Sequence, residues 1–396
     1  MANVGLSKAA IAKLRAETPA CEGLLHFNNA GASLMPAPVY AAQTAYQALE
    51  QEVGGYEAES AQAELITDFY PAIAGLIGAS PHDIAFMDSA TRAWHQAVAS
   101  IPFQAGDRVL MHITEYEANY LTLLHLKAQK GIEIDFVQSD ESGQIDVTDL
   151  AAKITPRTKL ICLSHIPTYN GVINPAAEVG KIARDAGVLY LLDACQSVGQ
   201  VEIDVTEIRC DMLCATGRKY MRGPRGTGFL YVAPQVIYDL IPPAADSHSA
   251  LLTGEDSFEF VESAKRFEIY ERSPAGMIGL AAAARYASDI GVANIRVRVD
   301  NIATTLRREL STIKGVDVHD WGTAQSGIVT FTKQNHEPMD MMHALRERRI
   351  NMFVSTPSQI DPNGPAIAAP HLARASVHYF NTKREVSAFC EAVASL

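Results

Sequence analysis

The chain has 396 residues, of which 48% are hydrophobic and 20% charged, and its formal net charge at pH 7 is −12. This balance is typical of a globular protein with a large core, and the negative charge argues against binding to nucleic acid or to an anionic membrane surface. The six cysteines form no CxxC pair and match no zinc spacing, so we expect no metal site, reduced thiols and a cytoplasmic protein.

Residues 1–25 are predicted to be a helical segment that packs with a small C-terminal domain. Charged residues are spread along an amphipathic pattern here, without the apolar core of a signal peptide. No apolar run in the sequence reaches the roughly 18 residues needed to span a membrane.

Apolar segments alternate with helical patterns through the middle of the chain. Most of these segments are apolar throughout, as strands buried on both faces of a sheet should be. The predicted strands are 83–87, 107–113, 132–137, 159–164, 188–193, 212–215 and 228–232. The clearest helix is 175–186, with Asn174 as its predicted N-cap, Pro175 at its first position and Gly187 after its end. The alternation predicts an α/β fold with a mostly parallel central sheet.

After about residue 270 the pattern changes to longer helices and shorter strands. Helices are predicted over 274–310, with a break near Gly291, over 338–348 and over 383–396, and strands over 328–332, 352–355 and 373–379. We therefore predict a large α/β domain over 26–270 and a smaller α+β domain over 271–396.

The turn around Lys219 carries the strongest local signal for chemistry. An apolar strand ends at Thr216, and Arg218 and Lys219 lead into a turn rich in Gly and Pro. Partial burial and like charge would lower the pKa of this lysine, and a neutral amine is what Schiff-base chemistry needs. A solvated basic turn is the alternative. Arg222 and Arg225 flank the turn and fit either a distal acidic group of a substrate or solvated charges.

Asp193 carries the second signal, because it ends a predicted strand. Ligands of α/β sheets bind outside the carboxyl ends of strands, and a buried carboxylate needs a cation or several donors. A pyridinium nitrogen is such a cation. The alternative is an N-cap for a following helix.

Two weaker signals lie at opposite ends of the chain. Ser89 to Thr91 form a small polar turn between a strand and a helix, which suits an anion but also resembles any capped helix. Arg374 lies in an apolar strand pattern and fits either a substrate carboxylate or an internal ion pair.

In this order, the segments resemble the class V aminotransferase-like family of pyridoxal-phosphate enzymes, which includes cysteine desulfurases, cysteine/cystine lyases and isopenicillin-N-epimerase-like proteins. The likeness extends from residues 28–31 to Asn381. It implies the fold-type I architecture, pyridoxal 5′-phosphate as the cofactor, a small amino acid as the substrate and a homodimer with its active site at the subunit interface.

The resemblance also implies a role for each matching residue. Lys219 would hold the cofactor as a Schiff base and move the proton, Asp193 would pair with the pyridinium nitrogen, and Arg374 would bind the substrate carboxylate. Further cofactor contacts are implied for Ala90, Thr91, Thr216 and Arg218 at the phosphate, for Tyr116 against the ring, and for Gln196 and Thr168 near the ring O3′. Gly31 and Ala32 are expected to contact the substrate.

Two departures from the family bear on the reaction. Tyr116 stands where many relatives have histidine, and the stretch 355–372 has no cysteine, whereas cysteine desulfurases carry their nucleophilic cysteine in the corresponding loop. We interpret Cys195 as a packing residue, with contact to the cofactor as the alternative. The predicted function is β-elimination of the C–S type on a small sulfur-containing or β-substituted amino acid. A class V aminotransferase or epimerase is the alternative, and an inactive cofactor-binding homologue is a lesser one.

Overall fold

The computed structural model describes residues 5–355 and 371–396. In this part of the chain the strands are β1 (Leu25–His26), β2 (Ile84–Met87), β3 (Arg108–His112), β4 (Glu133–Val137), β5 (Thr158–Ser164), β6 (Leu189–Asp193), β7 (Met212–Thr216), β8 (Gly228–Val232), β9 (Ala250–Leu252), β10 (Phe258–Phe260), β11 (Val316–Val318), β12 (Ile328–Lys333), β13 (Ile350–Asn351), β14 (Phe353–Ser355) and β15 (Leu372–Ser376).

The α-helices of the same residues are α1 (Lys8–Ala16), α2 (Ala37–Val53), α3 (Gly55–Ala61), α4 (Ala63–Thr67), α5 (Phe69–Ile77), α6 (Ala90–Ala99), α7 (Glu117–Lys130), α8 (Val147–Lys153), α9 (Ala176–Ala186), α10 (Val205–Ile208), α11 (Pro274–Ile290), α12 (Val292–Ser311), α13 (Pro338–Glu347) and α14 (Lys383–Ala394). No helix described here has the length and apolar character needed to span a bilayer.

The main sheet has seven strands in the order β2-β8-β7-β6-β5-β3-β4. The five strands from β7 to β4 are parallel, and β8 runs antiparallel to both of its neighbours. The direction of β2 therefore matches that of the parallel strands, and the carboxyl ends of six strands meet at one edge. The predicted α/β fold with a mostly parallel sheet is confirmed.

Most strands of this sheet, such as β2, β7 and β8, are buried along their whole length because helices cover both faces of the sheet. Alternate residues enter two separate core clusters: Leu192 and Leu213 belong to one, and Leu191 and Met212 to the other. This packing fixes the register that brings Asp193, at the end of β6, opposite Cys214 of β7.

The predicted N-cap of α9 is wrong. Pro175 occupies the N-cap position, and the Asn174 side chain is buried and bonded elsewhere. Its Nδ2 donates to the Ser164 carbonyl at 2.8 Å, and its Oδ1 accepts from the Ile145 amide at 3.0 Å. Asn174 thereby holds the loop that follows β5. At the other end of α9, Gly187 adopts the left-handed conformation, with φ of 65°, as predicted.

The C-terminal part contains a four-stranded antiparallel sheet in the order β11-β12-β15-β14. The break predicted near Gly291 is present, since α11 and α12 meet at this residue with φ of 83°. The strand predicted over 373–379 ends earlier, because the His378 amide donates to Asn381 Oδ1 in a turn. The division into domains at residues 25 and 270 stays a prediction.

Helices α2 and α5 pack on α11 and were not predicted. The N-terminal helix α1 reaches the C-terminal part through Arg15. Its Nη1 donates to the Phe380 carbonyl at 2.7 Å and to Glu385 Oε2 at 3.0 Å.

Arg222 joins three distant segments and does not face a substrate. Its side chain is fully buried, and it donates to the Leu34 carbonyl at 2.7 Å, to Thr18 Oγ1 at 2.7 Å and to the Tyr379 hydroxyl. Its guanidinium also lies 4.5 Å from the ring centroid of Phe380. The interpretation of Arg222 as a group that recognises a distal acid is therefore wrong.

We expect Arg222→Met to lower the free energy of unfolding by about 3 kcal/mol, because several buried acceptors lose their donor at once. Arg225→Met is the matched control, since Arg225 is exposed in the same turn and should change stability by no more than about 0.5 kcal/mol. Urea unfolding of the three proteins measures both values. Equal stabilities of the two variants would contradict this role of Arg222.

Candidate active site

A pocket opens at the carboxyl edge of the main sheet, where β2, β3, β5, β6 and β7 end. A turn with polar side chains follows each of these strands, as expected for the edge of an open α/β sheet at which ligands bind. The pocket is lined by Ser89, Ala90, Thr91, Tyr116, Asn119, Ser164, Ile166, Thr168, Asp193, Cys195, Gln196, Thr216, Arg218 and Lys219.

Lys219 lies in the turn after β7 and is largely buried. Burial lowers the pKa of its amine and Arg218 acts in the same direction, whereas Cys195 and Asp193 oppose the change. The amine lies 5.9 Å from the centroid of the Tyr116 ring. The pocket thus contains an amine whose neutral form is easier to reach than that of a solvated lysine, near an aromatic ring.

Both carboxylate oxygens of Asp193 accept a hydrogen bond. The Cys195 amide donates to Oδ1 at 2.9 Å, and Asn119 Nδ2 donates to Oδ2 at 2.9 Å. A turn follows Asp193 rather than a helix, so the N-cap interpretation is wrong. A buried carboxylate held in this way presents a fixed negative charge to a cationic ligand group.

The N-terminus of α6 forms one end of the pocket. Ser89 caps this helix by accepting from the Arg92 amide at 3.2 Å, and first-turn amides such as those of Ala90 and Thr91 have no acceptor within a helix. Gly228 of β8 allows the start of α6 to lie close to this strand, because a Cβ at residue 228 would lie 3.1 Å from the Ala90 nitrogen. Thr216 pairs with Gly228 and lines the same pocket, so this end suits an anion. Arg218 also lines the pocket, and its Nη1 donates to the Gly31 carbonyl.

A second cationic side chain, Arg374, lies beside the pocket. Its Nη1 donates to the Thr168 carbonyl at 3.0 Å and to Thr168 Oγ1 at 2.5 Å. Burial lowers the pKa of its guanidinium to about 10, which leaves it charged at neutral pH. Among the described residues its Nε has no hydrogen-bond partner, so it retains a donor for an anion.

Gln196 connects this corner to the N-terminal part of the chain. Its Nε2 donates to the Ala30 carbonyl at 3.1 Å and lies 3.4 Å from Thr168 Oγ1. Its buried Oε1 has no partner within the described part of the chain, and an amide oxygen left in this way is available to a ligand donor.

The structure brings together the nine residues predicted to hold the cofactor, since all of them line this pocket. The three predicted substrate residues lie outside its lining. Arg374 approaches through Thr168, Gly31 accepts from Arg218 Nη1, and the Ala32 carbonyl lies 2.9 Å from His26 Nε2. Their roles stay predictions.

Three residues take a larger part in the site than the sequence predicted. Cys195 lines the pocket rather than serving only in packing. Glu115 and Asn119 were not predicted, yet Asn119 contacts Asp193 directly, and Glu115 lies behind it. Glu115 precedes α7, and Asn119 lies in the first turn of this helix, so their contact depends on how the chain enters the helix and no pattern in the sequence marked it.

Comparison with known proteins gives a family and several relatives. The family model "Aminotransferase class-V" matches residues 25–389. The chain is 29% identical over 397 residues to a probable cysteine desulfurase of Methanothermobacter thermautotrophicus, covering 97% of each chain. It is 25% identical to the solved apo cysteine desulfurase of Thermococcus onnurineus, with a TM-score of 0.88 over 97% of both chains.

A third relative shows a similar fold. The cystine C–S lyase C-DES, solved with its product cysteine persulfide, is 24% identical and has a TM-score of 0.86, over 96% of this chain and 99% of that chain. A variant of C-DES has been solved with glycine covalently linked to its pyridoxal-phosphate cofactor.

We expect Lys219 to react with an acylating reagent at a lower pH than exposed lysines do, because burial disfavours its charged form. Competitive labelling with trace acetic anhydride across a pH series, read by peptide mass spectrometry, gives the midpoint for each lysine. Lys159, which is exposed, serves as the control. A midpoint for Lys219 at or above that of Lys159 would show that the amine is not activated.

Proposed function

Because the chain belongs to the class-V aminotransferase family, whose members are pyridoxal-phosphate-dependent enzymes, we propose that it is a carbon–sulfur β-lyase. Its proposed substrate is a small sulfur-containing amino acid, which it converts to a 2-oxo acid, ammonia and a sulfur product. Two features support this proposal: the residues around the pocket, and the lack of a cysteine in the stretch 355–372.

The residues of the pocket fit pyridoxal 5′-phosphate. The N-terminus of α6 and Arg218 suit the phosphate, and the Asp193 carboxylate suits a protonated ring nitrogen. Tyr116 offers a ring face, and the unpartnered Gln196 Oε1 is available to a donor at the ring oxygen. Lys219 Nζ would bind the aldehyde carbon.

When bound, the cofactor supplies an electron sink that makes the Cα proton of an amino acid removable. Lys219 Nζ is placed to take that proton, since the pKa of its amine is lowered and it faces the interior of the pocket. Loss of the sulfur substituent with the electron pair of the Cβ–S bond then completes elimination. For cysteine the balance is cysteine plus water to pyruvate, ammonia and hydrogen sulfide.

Arg374 would orient the substrate by its carboxylate. In the described residues the guanidinium has no ion-pair partner among Asp and Glu, and it stacks 5.1 Å from the ring centroid of Phe353. A buried cation without an acid favours an anionic ligand, and a guanidinium can bind a carboxylate through two parallel hydrogen bonds.

The observation that carries the choice of a lyase is the lack of a suitable sulfur acceptor. The stretch 355–372 has no cysteine, although its residues 356–370 lie outside the described part of the chain. Cys195 is the thiol that lines the pocket, and burial raises its pKa well above the ordinary value. A thiol that resists ionisation is a poor nucleophile, so a persulfide carried by the protein is disfavoured.

We also propose that the chain acts as a homodimer with the active site at its interface. The exposed side chains of Tyr56 and Tyr270 line one surface cavity. This cavity shares Glu271 and Arg272 with a second one, which extends to Asp88 beside the start of α6. An exposed apolar region of this kind, next to the anion end of the pocket, is typical of a protein interface.

The first experiment is a product analysis of the protein loaded with pyridoxal phosphate. We expect a visible absorption band that Lys219→Ala lacks, and formation of pyruvate and ammonia in equal amounts from cysteine or cystine without an added 2-oxo acid. Alanine as the product would identify a desulfurase. Accumulation of pyridoxamine phosphate would identify an aminotransferase, exchange at Cα with inversion an epimerase, and no reaction an inactive homologue.

A second test concerns the fate of sulfur. If the sulfur leaves directly from the substrate, the initial rate of sulfide release from cysteine should not depend on an added thiol. The intact protein mass after turnover, measured without reductant, should equal that of the untreated protein. A persulfide on any of the six cysteines that disappears on addition of thiol would contradict the proposed reaction.

A further inference from the structure

Glu115 is a buried carboxylate that the proposed reaction does not use. It follows β3 and is fully buried. Its Oε1 accepts hydrogen bonds from the Tyr116 amide at 2.8 Å, from Asn119 Nδ2 at 2.9 Å and from the Ser164 hydroxyl. Its Oε2 has no partner in the described residues.

Asn119 connects Glu115 to Asp193. The two hydrogens of a side-chain amide can serve two acceptors, and Asn119 Nδ2 lies 2.9 Å from Glu115 Oε1 and 2.9 Å from Asp193 Oδ2. Two buried carboxylates thus accept hydrogen bonds from the same side-chain amide. Because Asn119 cannot rotate without losing one of these bonds, Glu115 fixes the position of the donor that holds Asp193.

The acidic neighbour that Glu115 reaches through Asn119 is Asp193. The other titratable groups that face it are Cys162 of β5, Tyr190 of β6 and Cys214 of β7, and burial raises the pKa of each of them, so they are neutral. Burial first, and then Asp193, raises the pKa of Glu115 to about 7, against the effect of its three donors. A cationic ligand group bound opposite Asp193 would favour the ionised form of Glu115.

We propose that Glu115 is a positioning residue that acts through Asn119 on Asp193, and that its negative charge increases the proton affinity of the ligand that Asp193 holds. The inference rests on the proposed role of Asp193 opposite the ring nitrogen of pyridoxal phosphate. The carboxylates of Asp193 and Glu115 together would stabilise a cationic ring more than Asp193 alone does, because each adds an attractive charge in a poorly solvated site.

The test is the pH dependence of the nitrogen NMR shift of the ring nitrogen in the protein loaded with pyridoxal phosphate that is isotopically labelled at that atom, without substrate. This shift reports the proton on the ring nitrogen, which a nearby anion stabilises, so removal of the charge should move the midpoint to lower pH. For Glu115→Gln, which keeps the shape of the side chain, we expect a decrease of about one pH unit. Ser164→Ala removes one donor to Glu115 and should give a smaller change in the same direction.

Glu385→Gln is the control for loss of a buried carboxylate, since Glu385 lies in α14 and pairs with Arg15. Its midpoint should equal that of the wild type, and thermal melting of each variant reports folding separately. If Glu115→Gln does not fold, Ser164→Ala carries the test. Unchanged midpoints in the variants that fold would overturn the proposal.

The visible band and the ring-nitrogen midpoint together separate this inference from the proposed function. A wild-type protein without a visible band, or a Lys219→Ala variant that keeps the band, contradicts the proposed function itself. A visible band that depends on Lys219, together with a ring-nitrogen midpoint that is the same with and without Glu115, contradicts the role of Glu115 alone.

Discussion

The site depends on the burial of an amine and a carboxylate at the ends of neighbouring parallel strands. Asp193 ends β6 and Lys219 follows β7, and the register of these strands leaves both groups at one edge with little access to water. Neither charge is solvated there, so each must be compensated by neighbours or reduced by a shift of its pKa. Asn119 and the Cys195 amide compensate Asp193, whereas Lys219 responds through its lowered pKa.

The pocket is rich in cationic groups although the chain as a whole carries a charge of −12. The N-terminus of α6 and Arg218 line it, and Arg374 lies beside it. A dianionic phosphate and an amino-acid carboxylate are ligands that such a group of cations selects, while the net negative charge of the chain disfavours polyanions. The local field, rather than the net charge, therefore decides what the site can bind.

Much of the fold could be predicted because its core strands are apolar throughout and end in polar turns. The same feature located Lys219 and Asp193, which stand at strand ends. Glu115 could not be recognised, because its burial depends on Ser164 from β5 and on Asn119, contacts that arise only when the sheet is assembled. Helices α2 and α5 were missed because their packing partner, α11, lies about two hundred residues further along the chain.

Arg222 has a consequence for how the chain tolerates change. It belongs to the turn that carries Lys219, and it is bonded to Thr18 near the N-terminus and to Tyr379 near the C-terminus. The placement of the reactive amine and the docking of both chain ends are thus parts of one cooperative unit. Loss of the N-terminal segment with Thr18 would therefore remove one of the bonds that hold the turn of the reactive amine, although this segment lies far from that turn in the sequence.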